Sequence, residues 1–200
     1  LLTAYGASSY SWSPGINISS TTGATVSVTP TVTTTYVVTG TNGATSCSDT
    51  GIAIITVLPL PSVTVNSGTI CAGANMNLIA QGALNYTWSP IGAGLSSNAG
   101  PVVVANPSTT TTYVVSGADA NACVDTAQAV VVVNPLPTLF SGNANFCYGG
   151  SVTLNASGAN VYSWSPSTGL NTSTGPSVIA SPSVTTSYTL SGMNTATGCS

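Results

Sequence analysis

The sequence predicts an all-β chain of small antiparallel β-sandwiches in tandem, one every 76 residues. Three observations predict it. Tyr10-Ser11-Trp12-Ser13-Pro14, Tyr86-Thr87-Trp88-Ser89-Pro90 and Tyr162-Ser163-Trp164-Ser165-Pro166 place tryptophans at a constant spacing of 76, which marks tandem copies of one folded unit. Short apolar–polar alternations, bounded by Gly, Pro and Asn, fill the space between these motifs, as strands and turns do. No stretch shows a helical period with caps. A β-solenoid would repeat over a few tens of residues at most, whereas 76 residues hold a whole small domain.

The elements follow in order, each repeat reading the others. Leu2 and Ala4 match Leu78 and Ala80, and Leu154 and Ala156; Val152-Thr153-Leu154-Asn155-Ala156 alternates as a half-buried strand. A Gly-Ala turn (Gly6-Ala7, Gly82-Ala83, Gly158-Ala159) leads into the Tyr-x-Trp strand. After Ser-Pro comes a Gly/Ser/Asn loop reaching Gly23, Gly100 or Gly175, and the middle copy is one residue longer. The next strand turns Val26 and Val28 inward, matched by Val103 and Ala105, and by Val178 and Ala180, and ends at Pro30, Pro107 or Pro182. Tyr36, Tyr113 and Tyr188 stand six residues after that proline, in a Thr-rich strand with Val38, Val115 and Leu190 on the same face. In the last strand Ala53, Ile55 and Val57, and likewise Ala129, Val131 and Val133, are expected to face inward. Leu58-Pro59-Leu60-Pro61 and Asn134-Pro135-Leu136-Pro137 make short, stiff connectors. The expected division is 1–61, 62–137 and 138–200, with 62–137 complete and the flanking copies partial. Trp88, Leu78, Val103, Tyr113 and Val131 are expected to form one core, with their counterparts buried likewise.

The cysteines keep the same register. Cys47, Cys123 and Cys199 stand 76 apart, as do Cys71 and Cys147. Pairing within a repeat predicts Cys71–Cys123 and Cys147–Cys199, with Cys47 expected to bond a cysteine six positions before Leu1. Without His or CxxC, a zinc site is not expected. A small sandwich has a thin core, so a covalent staple is expected.

Composition restricts the function. The 200 residues contain no Lys, Arg or His, and Asp49, Asp119 and Asp125 are the only acidic side chains. Without cations the chain lacks the usual means of gripping phosphate or an anionic membrane, so no nucleic-acid partner is expected. No apolar run approaches the ~20 residues of a spanning helix. Acid–base catalysis lacks its groups: a Ser nucleophile needs a base, and Asp119 with Asp125 is the sole carboxylate pair available to a unit. One or two carboxylates also make a poor calcium cage. No enzyme activity, cofactor or metal is expected.

The combined pattern is Ile70-Cys71-x-Gly73, Leu78-x-Ala80-x-Gly82, Tyr86-x-Trp88-Ser89-Pro90, Thr110-Thr111-Thr112-Tyr113-Val114-Val115, Cys123 and Asp125-Thr126-Ala127. It resembles the PKD-like and immunoglobulin-like repeats of very large secreted surface proteins of Bacteroidota, gliding-motility-associated adhesins among them. Trp-Ser-Pro replaces the Trp-Asp-Phe-Gly type of segment of the PKD motif proper, hence PKD-like. The resemblance covers nearly the whole chain. It implies an immunoglobulin-like sandwich, export to the cell surface (often by the type IX route), and use as a stalk or adhesive fibre. It also marks Asp125-Thr126-Ala127 as matching the sequence on which such bacteria attach O-linked glycans, at Thr126; the plainer reading is a turn in which Asp accepts backbone N–H groups.

Two functions fit: a shaft of like beads, contacting neighbouring repeats and lateral copies of the same fibre, or a module binding glycan or protein through loops at the sandwich end. The loop Ile91–Ala99 is bland and the aromatics lie in strands, which favours the shaft, since recognition surfaces are rich in aromatic anchors. An ice-binding Thr face conflicts with the twist of a small sheet.

Overall fold

A computed structural model describes residues 1–200. The chain is all-β, with seventeen strands and no helix. It forms two compact units, Leu1–Pro61 with Asp119–Val124, and Ser62–Ala118 with Asp125–Ser200.

In the first unit, β1 (Leu2–Thr3) pairs with β3 (Thr25–Val26), while β2 (Ser9–Ser13), β4 (Thr34–Thr41) and β5 (Ser48–Ile55) form an antiparallel sheet in that order. Trp12, Val26 and Tyr36 are buried together, with Leu2, Ile18, Val28 and Ile55 packed against them. Ile55 lies on the inner side while Ile52 and Ile54 are exposed, which is the expected parity.

Residues 62–137, all but Asp119–Val124 in the second unit, form one sandwich. Here β6 (Thr64–Val65), β8 (Met76–Gln81) and β10 (Val102–Ala105) make one sheet, and β7 (Gly68–Cys71), β9 (Asn85–Ser89), β11 (Thr111–Ala118) and β12 (Val124–Asn134) make the other, in the order β7-β12-β11-β9. The opening strand is divided between the sheets: β6 pairs antiparallel with β8, and β7 pairs parallel with β12. The two layers form an immunoglobulin-like sandwich. Its core holds Leu78, Trp88, Val103, Tyr113 and Val131 in one cluster with Ala129 and Val115. Alternation explains the choice of faces: Ala129 and Val131 are fully buried, and Val130 and Val132, which alternate with them, are exposed. At roughly 25 cal/mol per Å² of apolar surface, each such buried Val or Leu contributes about 1.5–3 kcal/mol.

Residues 138–200 give β13 (Phe140–Ser141), β14 (Val152–Ser157) and β16 (Ser177–Ala180) in one sheet, with β15 (Val161–Ser165) and β17 (Thr189–Met193) in another. Trp164, Val178 and Ala180 are buried, but Leu154 and Tyr188 are only half-buried. Leu2, the counterpart of Leu78 in the first unit, is half-buried too. The core expected to recur equally is therefore complete only in 62–137. In 62–137 the strand β12 covers that core: Ala129 and Val131 pack with Leu78, Trp88 and Tyr113, and the positions 76 residues after them lie past Ser200. β17 has five residues where β11 has eight, and Tyr188 precedes it.

The Gly-Ala turn packing onto the neighbouring strand accounts for a glycine in mid-strand. Gly117 lies directly opposite Tyr86, as Gly40 lies opposite Tyr10 and Gly192 opposite Tyr162. A Cβ at Gly117 would stand 2.7 Å from the Ala83 Cβ and 2.6 Å from Val63. Glycine leaves room for the turn alanine and the entering chain to approach the strand closely; at Gly192 the same two places are taken by Ala159 and Leu139.

The disulfide differs from expectation. Cys71 is bonded to Cys199, 128 residues away, and Cys47, Cys123 and Cys147 are free. The expected bridges Cys71–Cys123 and Cys147–Cys199 do not form. Topology explains it. The parallel register sets Cys71 beside Asn134, at the trailing end of β12, whereas Cys123 precedes Val124, at its leading end. Eleven strand residues separate the two ends, roughly 35 Å at ~3.3 Å per residue. Bonded cysteines need Cα atoms within about 7 Å. Cys199, by contrast, closes the turn after β17, paired with Asn194. That turn lies at the leading end of 138–200, where β15 begins opposite Met193. The bond therefore crosses the junction spanned by Pro135-Leu136-Pro137.

Gly82 offers a test of how the chain enters each sandwich. It adopts φ +95°, and a Cβ there would overlap the carbonyl oxygen of Ser62; Gly73, at φ +84°, has open space around it. Gly73→Ala should cost about 1 kcal/mol from the backbone conformation alone. Gly82→Ala should cost on the order of 2–4 kcal/mol, because overpacking adds to that strain. Urea midpoints of the two variants measured side by side check the difference; equal losses would contradict it.

Candidate functional site

The residues that recur in all three copies are Trp and the two Tyr; the carboxylates do not, since Asn42 and Asn194 stand where Asp119 does. Each indole Nε1–H donates to a glycine carbonyl in the same repeat: Trp12 to Gly23 at 2.9 Å, Trp88 to Gly100 at 2.9 Å, Trp164 to Gly175 at 3.1 Å. The tryptophans themselves are buried. The first Tyr of each motif closes the turn before it. Its hydroxyl accepts the N–H of Ala7, Ala83 or Ala159 at 2.7–2.8 Å. Tyr86 and Tyr162 also donate to the carbonyls of Ala83 and Ala159.

The second Tyr fixes the loop. Tyr36 donates to the Ile16 carbonyl at 3.0 Å, Tyr188 to that of Thr168 at 2.8 Å, and Tyr113 to that of Ala93, each twenty residues upstream. Burial raises the Tyr113 phenol above its ordinary pKa, and a hydrogen bond with Thr111 opposes this more weakly. The phenol stays neutral and keeps its proton for Ala93.

The loop after Ser-Pro, expected to be an open connection, is bound on both sides. Trp12, Trp88 and Trp164 donate their backbone N–H to Thr21, Asn98 and Ser173, each at 2.8 Å. Isolated bridges continue to the opposite sheet: Ile18 with Val28, Leu95 with Ala105, Leu170 with Ala180. A polar side chain seals each crossing. Ser19 accepts from Ser27, Ser96 from Val104 and Asn171 from Ile179. The sequence signal for this was the register of Ser19, Ser96 and Asn171, short polar side chains at matched positions in the three loops.

The carboxylates serve turns. Asp119 Oδ1 accepts the N–H groups of Asn121 (2.8 Å) and Cys123 (2.9 Å). Asp49 accepts that of Thr50 at 2.8 Å. Asp125 Oδ2 accepts the Val63 N–H at 3.0 Å. That bond, and a second from Thr126, hold its carboxyl below the ordinary range, with burial opposing slightly. Thr126 is exposed at the start of β12. Cys47 and Cys147 are exposed and Cys123 is partly covered.

A cavity of about 710 Å³ in 138–200 is lined by Leu154, Trp164, Ala180, Tyr188, Phe146 and Tyr148, among others. The counterparts Leu78, Trp88, Ala105 and Tyr113 are packed against Ala129 and Val131. The cavity lies on the face of Leu154, Trp164 and Tyr188 that corresponds to the one Ala129 and Val131 cover in 62–137, and Asn143, Asn145 and Thr186 are also among its lining residues.

Two outcomes follow. Tyr113→Phe should destabilise the chain by about 1 kcal/mol, because the Ala93 carbonyl loses its donor; Tyr188→Phe, at a half-buried position, should cost less, and calorimetry of both variants checks the order. Asp125 has a lowered pKa in the folded chain, so its contribution is full above the unfolded value near 4 and fades as pH falls through the lower folded value. Asp125→Asn should therefore flatten the loss of stability on acidification below about pH 4, read from urea midpoints across pH 2–7; an unchanged slope would contradict it.

No known protein family matches the chain, and no curated protein does. Solved structures that it is similar to include protocadherin gamma B7 extracellular cadherin domains 1–4 (TM-score 0.35, 12% identity, 88% of this chain and 58% of that one). The human desmocollin-1 ectodomain (0.28, 11%, 90% and 47%) and murine CEACAM1b (0.26, 15%, 64% and 90%) are others. The chain thus spans about half the length of the first two. The sandwich described above rests on its own strand pairing.

Proposed function

We propose that the chain is a non-enzymatic structural array, part of the shaft or stalk of an extracellular bacterial surface filament or adhesin, in which each 76-residue repeat serves as one bead. The observation that carries this reading is where the recurring polar atoms point. Trp Nε1, both Tyr hydroxyls and the Ser19/Ser96/Asn171 oxygens are all bonded to backbone inside their own repeat. What recurs is what holds a sandwich together. A recognition module would repeat groups aimed outward.

Other features support the setting. A disulfide fits an oxidising location outside the cytosol. No helix is long and apolar enough to cross a membrane. With no Lys or Arg, the chain offers trypsin-like proteases no site, an advantage on an exposed surface. The PKD-like resemblance is the support for a Bacteroidota surface protein and for type IX export. Exposed Thr126 beside Asp125 supports glycan attachment at that hydroxyl. Low charge gives neighbouring fibres little mutual repulsion, which favours lateral contact.

The test is removal of residues 62–137 from the gene, which preserves the 76-residue register. A shaft should shorten and keep working: surface attachment should persist while electron micrographs show a shorter fibre. Complete loss of attachment, with export intact, would instead assign recognition of a glycan or protein to this segment.

A further inference from the structure

The disulfide sets a rule for the whole repeat. All five cysteines occupy two kinds of local turn. The carbonyls of Cys71 and Cys147 accept the N–H three residues on, from Ala74 and Gly150, both at 2.9 Å. The carbonyls of Cys47, Cys123 and Cys199 accept from Asn42, Asp119 and Asn194 at 2.9–3.0 Å. The first kind stands at the trailing end of its repeat and the second at the leading end, as the β7–β12 register and the β15–β17 pairing place them. The bond joins a trailing-end cysteine to the leading-end cysteine of the next repeat, at a separation of 128. Among the five positions, only Cys71 and Cys199 stand at that separation, and the other three cysteines are free.

We infer that the repeat carries a disulfide lacing in which every junction is closed by this same pair, the trailing-end cysteine of one repeat with the leading-end cysteine of the next. Each bond forms by two-electron oxidation of two thiols, releasing two protons and two electrons to a disulfide-forming oxidant of the export compartment. The mechanical consequence builds on the shaft reading. In a laced array, the covalent path enters a repeat at its Cys123-type position, leaves the following repeat at its Cys147-type position, and then crosses a bond. That path holds 24 residues for every two sandwiches. Fully extended it reaches about 80 Å. Two sandwiches as long as the eleven-residue β12 already occupy roughly 70 Å at ~3.3 Å per residue. The path is nearly taut in the folded state. Tension would then be borne by the β12-type strand, the Pro linker and the sulfurs, and the bodies of the sandwiches lie outside the load path. Bonds within each repeat would have left the junctions as the extensible points.

The lacing is tested on the 200-residue chain, pulled from its two ends in a force spectrometer. With Cys71–Cys199 closed, only about 72 residues can extend, a contour near 250 Å. Bonds within repeats would leave about 96 residues, near 340 Å, and an unbonded chain all 200, near 700 Å. The expected result is the shortest value, rising to the longest with a thiol reductant or in Cys71→Ser or Cys199→Ser, and unchanged in Cys123→Ser or Cys147→Ser. Either longer value for the oxidised chain would overturn the lacing. Peptide mapping of the oxidised chain gives a second readout: a Cys71–Cys199 cross-link is expected, and a Cys71–Cys123 or Cys147–Cys199 cross-link would overturn it. These measurements concern the bond alone, so their failure leaves the shaft reading to the deletion experiment, and the converse.

Discussion

The parallel pairing of β7 with β12 is the constraint on which the rest depends. It draws the second half of the opening strand onto the far sheet, and so closes the sandwich on both layers. The same pairing flanks the strand whose Ala129 and Val131 complete the core around Trp88 and Tyr113. Its register, Val131 with Gly68 and Asn134 with Cys71, also decides which end of the sandwich the cysteine occupies. A shift of one residue would turn Val131 and Val133 to solvent. The core and the covalent connection thus share one cause.

A chain with three acidic side chains and no basic ones must hold its turns by other means. Here short side chains do that work through the backbone. Asn66 bonds both the carbonyl of Asn77 and the N–H of Ile79; Ser67 receives Val130 and Thr110 receives Val133. No buried side-chain nitrogen or oxygen is left without a partner. Each such bond contributes about 1 kcal/mol, and a junction disulfide closing 128 residues adds up to about 5 kcal/mol in the chain-entropy treatment. Surface ion pairs would have added little by comparison. The abundance of Thr, Ser and Asn is therefore structural in its effect, and an uncharged surface is compatible with a tightly specified interior.

Much of this was legible in the sequence. Period 2 placed Leu78, Val103 and Val131 on the inner face, because alternation is a direct trace of a half-buried strand. Trp and Tyr as core residues followed from their size and their need for one polar partner. The disulfide was not legible. A repeat register assigns cysteines to classes but does not say which end of a sandwich each class occupies, and that depends on β7 changing sheets. Nothing local to Gly68–Cys71 distinguishes a strand that stays with β8 from one that crosses to β12. The loop after Ser-Pro was missed for a related reason: its bridges are single residue pairs, too short to leave an alternation, and only the recurrence of Ser19, Ser96 and Asn171 hinted at them.

The one-residue insertion in the middle repeat shows which features the fold defends. Pro14 is followed by Gly15-Ile16 and Pro166 by Ser167-Thr168, but Pro90 is followed by Ile91-Gly92-Ala93. The extra residue lies before the carbonyl that the second Tyr bonds, so the separation of twenty between Tyr and acceptor is kept in all three copies. The next residue, Asn17, Gly94 or Gly169, has positive φ each time and accepts an N–H from beyond the following strand. A compensating deletion falls in the turn before the second cysteine, where Asp119 reaches Cys123 in four residues while Asn42 and Asn194 take five. The insertion sits outside the span between Tyr and its acceptor, the deletion sits in a turn that closes on its cysteine carbonyl at either length, and the period returns to 76. Drift is admitted where a turn can close at either length, and refused between a buried hydroxyl and its carbonyl, because a one-residue slip there would strand a polar group inside the core.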